Sequence, residues 1–246
     1  MTLGGFDGDD LVFVANISTD TSATKDEYSI KILNILNLYG IDTKAIKGAV
    51  MSSVVPQLNM TVKSAVKFLI GIDTLTVGPG VKTGISIQCD TPSSVGADLI
   101  CACVAAHHIY GSPSLIIDMG TATTVSVLDK KGAHIGGCII PGVKISMDAL
   151  TERTALLPGL QLDKPKRAIG RNTVDAMRSG IMLGTACMLD GIVNRMEEEL
   201  GEKVTVIATG GIAKFIVPLC RRPMIYDKDL IIKGLVALYK DNMPKA

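Results

Sequence analysis

The chain has 246 residues, a formal net charge of +1 and 47% apolar residues. A nearly neutral charge argues against a nucleic-acid or membrane-surface partner, and the length fits one large domain or two small ones. The six cysteines show no C-x-x-C spacing, which predicts reduced core thiols of a cytoplasmic protein and excludes a disulfide framework or zinc ligands. No signal peptide is expected at the start, and the longest apolar run, 99–106, is too short to span a bilayer.

The first half of the chain is predicted to alternate strands with helices. Thr24 and Glu27 form a capping-box pattern that opens a helix, and Pro56 is placed to begin another. Glycines at 78, 80 and 84 predict a loop. The predicted strands are 2–6, 11–17, 49–55 and 75–77, and the predicted helices are 24–38, 56–69 and 96–110.

The second half repeats this order with one strand more. Pro141-Gly142 turns into a helix, and the long helix that ends near residue 200 carries more apolar residues than one core-facing stripe needs. That surplus predicts a homodimer interface. The predicted strands are 115–117, 125–128, 133–140, 204–208 and 224–226, and the predicted helices are 143–153, 173–200, 212–219 and 227–239.

The segment that follows the strand 115–117 carries the most informative chemistry. Asp118 comes at the end of that strand, Gly120 allows a ligand to approach the backbone, and Thr121, Thr123 and Thr124 offer hydroxyls and N–H groups to phosphate oxygens. A carboxylate at such a turn can hold a cation. The alternative is an ordinary hairpin with an Asx-type turn.

The element order predicts a duplication with a missing piece. Residues 1–112 would form the N-terminal half and 113–246 the C-terminal half, and the strand 2–6 aligns with the second strand of the later half. The counterpart of the strand that carries Asp118 would then precede Met1. We therefore expect that Met1 reflects a start codon placed too far downstream or a trimmed sequence, and that restoring upstream residues would change folding and activity.

Seven motifs in register resemble those of type III pantothenate kinases. They cover essentially the whole chain, and together they are far more specific than any one of them. The motifs are Ser52-Ser53-Val54-Val55-Pro56, Val77-Gly78-Pro79-Gly80 with Lys82-Thr83-Gly84, Gly96-Ala97-Asp98, Asp118-Met119-Gly120-Thr121, Pro141-Gly142, Gly170-Arg171-Asn172-Thr173 and Ala208-Thr209-Gly210-Gly211.

The resemblance implies an α/β protein with a duplicated ribonuclease-H-like fold, as in actin, heat-shock chaperones and sugar kinases. It also implies transfer of a phosphoryl group from ATP to pantothenate, the first step of coenzyme A synthesis. Members of the family resemble one another in being dimers that require Mg²⁺ and a monovalent cation, K⁺ or NH₄⁺.

Roles carry over to matching positions of this chain. Asp98 resembles the general base and Asp118 the monovalent-cation ligand. Gly96, Ala97, Asp98 and Leu99 match the pantothenate-binding segment, and Thr173 matches a further pantothenate contact. Gly120 and Thr121 match the ATP-binding turn, and the amides after Gly210 and Gly211 suit a nucleotide phosphate or ribose.

Each role has a structural alternative. Asp98 could serve only the dipole at the start of a helix, and the Gly210-Gly211 turn could be a plain connection between a strand and a helix. Lys82 could meet a carboxylate or phosphate, or could simply be solvated.

Two departures from the family concern the substrate site. Leu99 stands where the family usually has an arginine able to pair with the pantothenate carboxylate, and an aromatic residue usual in the substrate loop is replaced near Cys89. Two alternatives to a pantothenate kinase therefore remain open: a nucleotide- or pantothenate-binding relative with a regulatory role, and a kinase for another small alcohol.

Overall fold

The computed structural model describes residues 1–154 and 156–243. Its strands are β1 (Thr2–Asp7), β2 (Asp10–Asn16), β3 (Val50–Met51), β4 (Leu75–Thr76), β5 (Ser114–Met119), β6 (Ala122–Leu128), β7 (His134–Pro141), β8 (Thr205–Thr209) and β9 (Ile225–Tyr226). Its α-helices are α1 (Lys25–Leu38), α2 (Pro56–Ile70), α3 (Ala97–Tyr110), α4 (Val143–Glu152), α5 (Thr173–Leu200), α6 (Ala213–Ile216) and α7 (Leu230–Asn242).

The chain divides into two compact units that are each built from separate segments. Unit 1 contains Met1–Gly84, Ser93–Val104 and Ile231–Ala246, and unit 2 contains Ile85–Pro92 and Ala105–Leu230. The sequence-based division into halves at residue 112 stays a prediction.

Unit 2 contains a five-stranded mixed sheet in the order β7-β6-β5-β8-β9. Strand β5 pairs antiparallel with β6 and parallel with β8, so it occupies the centre of the sheet. One face of β5 contributes Leu115, Ile117 and Met119 to a core that includes residues of α4, α5 and α6. Strand β6 is antiparallel to both of its neighbours, and the other strands of this sheet run parallel to one another. This is the strand arrangement of the ribonuclease-H-like fold. The sheet and its helices confirm the predicted α/β class.

A segment between β4 and α3 extends the sheet of unit 2 at its β7 edge. Ile87 forms a parallel bridge with His134, and the backbone N–H of Gln88 donates to the His134 carbonyl at 2.8 Å. Burial lowers the pKa of His134 despite a bond from its ring to the backbone of Val127. The sequence pattern did not predict this edge, because the segment lacks strand-like alternation and its pairing partner lies far along the chain.

Unit 1 contains two separate two-stranded sheets, the antiparallel pair β1-β2 and the parallel pair β3-β4. The hairpin turns at Gly8, whose φ of +63° lies in the left-handed region that glycine tolerates. Helices α1 and α2 enclose a core that contains Phe13, Tyr28 and Leu58. Within residues 1–154 and 156–243, no strand joins the two sheets of this unit.

Most predicted elements are confirmed, including the capping box in which Thr24 and Glu27 bond to each other's backbone N–H. The predicted helix 212–219 is wrong in part: α6 ends at Ile216 and a 3₁₀ turn, Val217–Leu219, follows, because Pro218 has no N–H to continue the helix. Helix α7 begins at Leu230, later than predicted, since the Asp227 carboxylate accepts the Asp229 N–H in a turn before it. Strand β3 stops at Met51 because Ser53 Oγ accepts the Val55 N–H at 3.1 Å and turns the chain.

Helix α5 is long and apolar enough, by length and composition alone, to cross a membrane. Eight of its residues are buried, including Leu189 and Val193 in the core of unit 2. It therefore packs as the central core helix of that unit.

Candidate active site

Asp118 is the centre of a polar cluster on one face of the sheet of unit 2. It is half-buried near the end of β5, opposite Thr124 on β6 and opposite Thr209 on β8. Residues that are directly opposite on neighbouring strands place their side chains on the same face. The sheet therefore aligns one carboxylate between two threonine hydroxyls.

Two glycines allow the backbone to close around this carboxylate. Gly210 has φ of +91°, and a Cβ atom there would lie 2.6 Å from Asp118 Oδ1. A Cβ atom on Gly142 would lie 2.0 Å from the Thr121 carbonyl oxygen. Any side chain at either position would displace the turn, so the Asp-x-Gly-Thr segment, the Pro-Gly turn and the Gly-Gly turn depend on one another sterically.

The turn after β5 leaves backbone accessible to a ligand. The Gly120 N–H donates to the Ala122 carbonyl at 3.0 Å, which fixes the turn, while Thr121 is exposed. Nothing lies within 4 Å of the space that a Gly211 side chain would fill. Helix α6 has only four residues, so its dipole contributes little to anion binding here.

The three threonines after Gly120 do not share a role. Thr123 is 1% exposed, and because successive strand residues point to opposite faces, its side chain is on the face away from Asp118. Thr124 lies on the face of Asp118, and its Oγ1 is buried without a hydrogen-bond partner among the described residues. The hydroxyls of Thr123 and Thr124 therefore lie on opposite faces of the sheet. The prediction that Thr121, Thr123 and Thr124 all offer hydroxyls to phosphate oxygens cannot hold for one phosphate that contacts both Thr123 and Thr124.

Asp98 lies in unit 1, in the first turn of α3. Its Oδ1 accepts the N–H of Leu99 at 2.9 Å, and a Cβ atom on Gly96 would lie 2.5 Å from the same oxygen. Glycine at position 96 therefore lets the half-buried carboxylate fold over the helix start. The bond to the Leu99 N–H is what we expect if Asp98 serves only the start of the helix. Because this bond uses Oδ1 and not Oδ2, it is also compatible with a general base. The role as general base therefore stays a prediction.

A buried thiol and a hydroxyl support the first turn of α3 next to Asp98. Burial raises the pKa of Cys101 to about 12, the nearby Asp98 charge adds to this, and a hydrogen bond from the Ser52 side chain opposes it. A Cβ atom on Gly234 would lie 1.9 Å from the Cys101 carbonyl, so α7 approaches α3 closely. Sequence reasoning singled out the motif that contains Ser52 but not its contact with Cys101.

Thr173 is the exposed first residue of α5 in unit 2. Asn172 caps that helix, because its Oδ1 accepts the Asp175 N–H at 2.8 Å while its amide donates to Asp175 Oδ2 at 2.9 Å. A Cβ atom on Gly170 would lie 2.2 Å from the Ala176 nitrogen, so the preceding loop folds back onto α5. The local structure therefore fixes the direction in which Thr173 is presented.

The structure thus brings together Asp118, Gly120, Thr121 and Gly210 in unit 2, whereas Gly96, Ala97, Asp98 and Leu99 form a second cluster in unit 1. The sheet of unit 2 belongs to a fold class that includes phosphotransferases but also other proteins, so the fold alone does not fix the activity. The carboxylate beside the glycine turns is a site that could hold a cation next to a phosphate.

Comparisons with known proteins identify the family. The model of the type III pantothenate kinase family matches residues 1–195. A type III pantothenate kinase of Moorella thermoacetica is 40% identical over 242 residues, and the alignment covers 98% of this chain and 95% of that protein. One of Brevibacillus brevis is 38% identical with the same coverage. The chain belongs to the type III pantothenate kinase family.

One solved structure supports the fold. A Campylobacter jejuni protein described as a Baf family transcriptional activator matches with a TM-score of 0.56 and 20% sequence identity. The match covers 80% of this chain and 85% of that one. At this level of identity the likeness concerns the fold alone.

Proposed function

We propose that this chain is a pantothenate kinase, which transfers the terminal phosphoryl group of ATP to the primary hydroxyl of pantothenate in the first step of coenzyme A synthesis. Membership of the family supports this activity, and ATP is the phosphoryl donor that a kinase uses. The structural observation that carries the proposal is the Asp118 carboxylate packed against Gly210 at the end of the central strand.

In this proposal unit 2 binds the nucleotide. Phosphoryl transfer requires that the charge on the phosphate oxygens be neutralised and that the donor be held in line. The exposed Thr121 offers a hydroxyl, and Gly120 and Gly211 carry no side chain that would obstruct a phosphate near the backbone. Gly210 keeps its turn close to the Asp118 carboxylate.

The proposal assigns Asp118 to a monovalent cation, K⁺ or NH₄⁺. The residues fit such an ion, because a half-buried carboxylate is aligned with threonine hydroxyls and hard cations take oxygen ligands. The ion would neutralise charge near the phosphates. Mg²⁺ is proposed as well, because phosphoryl transfer requires that the developing charge on the phosphates be neutralised, which a divalent cation would do.

Asp98 is proposed as the general base that accepts the proton of the attacking hydroxyl. Its Oδ1 is held by the Leu99 N–H, which orients the carboxylate and leaves Oδ2 for the proton. Gly96, Ala97 and Leu99 would bind pantothenate alongside it, and Thr173 would provide a further contact.

Leu99 supports a second candidate function. A half-buried leucine at this position cannot form a charge-assisted bond with a carboxylate. The same machinery could therefore serve a small alcohol that lacks the carboxylate of pantothenate.

We also propose a cytoplasmic homodimer with α5 at the interface. A groove of about 520 Å³ runs between α4 and α5 in unit 2, and it is lined by Leu150, Met177 and Ile181. The exposed glycines Gly180 and Gly184 line the same groove and would let a second copy approach closely. Light scattering of wild type and Gly184→Arg tests this: the variant should be monomeric, and an unchanged dimer would contradict it.

The activity is tested by measuring ATP consumption with Mg²⁺ and K⁺ in three arms: pantothenate, its carboxylate-free analogue pantothenyl alcohol, and no acceptor. Turnover with pantothenate supports the main proposal. Turnover with the alcohol but not with pantothenate supports the second candidate, and binding of ATP without turnover in any arm would show a non-catalytic relative.

A further inference from the structure

We infer that Thr124 is a second protein ligand of the cation that Asp118 binds. The inference rests on the proposed role of Asp118 and adds a residue to that site. It follows from the pairing register of the sheet and from the state of one hydroxyl group.

The register places Thr124 across from Asp118. The pairing of β5 with β6 is continuous from Ser114 opposite Leu128 to Met119 opposite Thr123, without a bulge. Directly opposite residues have Cβ atoms about 4.5–5.5 Å apart and side chains on one face. The pairing of β5 with β6 therefore makes the side chains of Asp118 and Thr124 neighbours.

The Thr124 hydroxyl lacks a hydrogen bond with any described residue, although it lies next to a carboxylate. Its Oγ1 is buried and has no hydrogen-bond partner among the described residues. It therefore does not donate to the adjacent carboxylate, although hydroxyl groups buried in proteins normally find partners. An oxygen in this position is suited to a ligand that accepts its lone pair, and a cation is such a ligand.

The geometry also suits a single ion. Two oxygens that bind one ion are separated by at most about twice the ion–oxygen distance, and a Cβ separation of about 4.5–5.5 Å allows the oxygens of Asp118 and Thr124 to meet this condition. Thr209, on the other side of Asp118, is 1% exposed and on the same face. Oxygen-bearing side chains on three adjacent strands hence border the proposed ion position.

A second unpartnered hydroxyl in the same sheet provides a matched control. Ser114 is fully buried, its Oγ lacks a partner among the described residues, and it lies on the Asp118 face at the opposite end of β5. It pairs with Leu128 and Thr205, so no carboxylate lies across from it. Removal of this hydroxyl should not affect cation binding.

The test uses the full chain and four proteins: wild type, Thr124→Val, Thr124→Ser and Ser114→Ala. Valine keeps the shape of threonine without the hydroxyl, and serine keeps the hydroxyl. The midpoint of thermal unfolding is measured against KCl concentration, with ionic strength held constant by choline chloride. Thr124→Ala replaces the valine variant if the latter does not fold.

We expect a saturable rise of the midpoint with K⁺ in wild type, Thr124→Ser and Ser114→Ala. In Thr124→Val the K⁺ concentration at half-saturation should increase by at least about tenfold, as is typical when a metal site loses a supporting group. Crystals soaked in a thallium salt should show an anomalous peak between Asp118 and Thr124.

An unchanged half-saturation in Thr124→Val, an equal increase in Ser114→Ala, or no saturable effect of K⁺ on wild type would overturn the inference. These results are separable from the proposed kinase activity. A Thr124-dependent K⁺ effect in a protein without turnover supports the cation site and contradicts only the proposed function, whereas turnover with an unchanged K⁺ response of Thr124→Val contradicts only the site.

Discussion

The two units differ in how their strands are joined. In unit 2, β5 pairs with β6 on one side and with β8 on the other, so a single five-stranded sheet results. In unit 1, the described residues form the hairpin β1-β2 and the parallel pair β3-β4 as separate sheets. Unit 2 thus has a central strand that joins its two groups of strands, and no described strand of unit 1 has that position.

The comparison separates the sources of stability in the two units. Unit 2 is organised around Leu115, Ile117 and Met119, which are each fully buried on the central strand. Unit 1 relies on the packing of α1 against α2, with Tyr28 fully buried and Ile32 nearly so. The two candidate carboxylates also lie on different types of secondary structure. Asp118 lies near the end of a central strand, whereas Asp98 lies at the start of a helix.

The largest expected effect concerns the carboxylate of unit 1. Asp98→Asn should lower the rate of pantothenate phosphorylation by roughly 10²–10⁴-fold, because an amide cannot accept the proton. The asparagine Oδ1 can still accept the Leu99 N–H, so the helix start should be preserved. Steady-state kinetics measure the rate, and circular dichroism checks the fold.

The matched control for that variant is Asp26→Asn. Asp26 also lies in the first turn of a helix of unit 1, where it pairs with Lys25 on the surface. If Asp98 served only the helix dipole, the two substitutions would have similarly small effects on turnover.

The next effect concerns the cores. Ile117→Ala should lower the free energy of unfolding by about 2–5 kcal/mol, and Ile32→Ala should lie at the lower end of that range, because Ile32 belongs to a core with fewer buried residues and is itself slightly more exposed. The residues are 0% and 7% exposed, respectively. Urea unfolding followed by circular dichroism measures both, and a larger loss for Ile32→Ala would contradict the assignment of the stronger core to unit 2.

A smaller effect is expected in backbone protection. The amides of β1 and β3 should exchange with solvent at least about tenfold faster than those of β5 and β8, because each of the former strands has a strand partner on one side only among the described residues. Hydrogen exchange with mass spectrometry resolves the peptides. Equal protection of the two groups would show that the edges of the unit 1 strands are closed by another contact.

The smallest effect concerns Glu197, a buried carboxylate at the end of α5. Burial raises its pKa, but bonds from the Lys203 ammonium at 2.6 Å and the Val204 N–H at 3.3 Å, together with the Arg222 charge, outweigh burial and lower it overall. A carboxyl whose pKa is lowered by folding stabilises the protein at neutral pH, and that contribution is lost as the pH falls below its ordinary value of 4.5.

Wild type should therefore lose stability more steeply than Glu197→Gln as the pH falls below this value. Thermal unfolding at a series of acidic pH values measures both slopes. Parallel slopes would mean that the carboxylate does not carry this part of the acid sensitivity.

Local sequence signals predicted most elements correctly. The capping pair Thr24 and Glu27 and the helix-starting Pro56 act through neighbouring backbone atoms, so their consequences can be inferred without knowledge of the fold. The family motifs pointed to Asp98 and Asp118, whose proposed roles stay predictions.

Long-range relations could not be inferred in the same way. The bridge between Ile87 and His134 and the contact between Ser52 and Cys101 join residues that are distant in the chain. The separation of Thr123 from Thr124 was in principle predictable, because opposite faces follow from strand alternation. Interpretation of Thr121, Thr123 and Thr124 as one turn does not take this alternation into account.

The central claim is that this chain phosphorylates pantothenate. The most direct measurement is mass spectrometry of a reaction that contains the chain, pantothenate, ATP, Mg²⁺ and K⁺, with Asp98→Asn as the parallel sample. We predict that wild type forms 4′-phosphopantothenate in amounts equal to the ADP released, and that the variant forms almost none. ADP release without a phosphorylated pantothenate, or equal product from both proteins, would contradict the account.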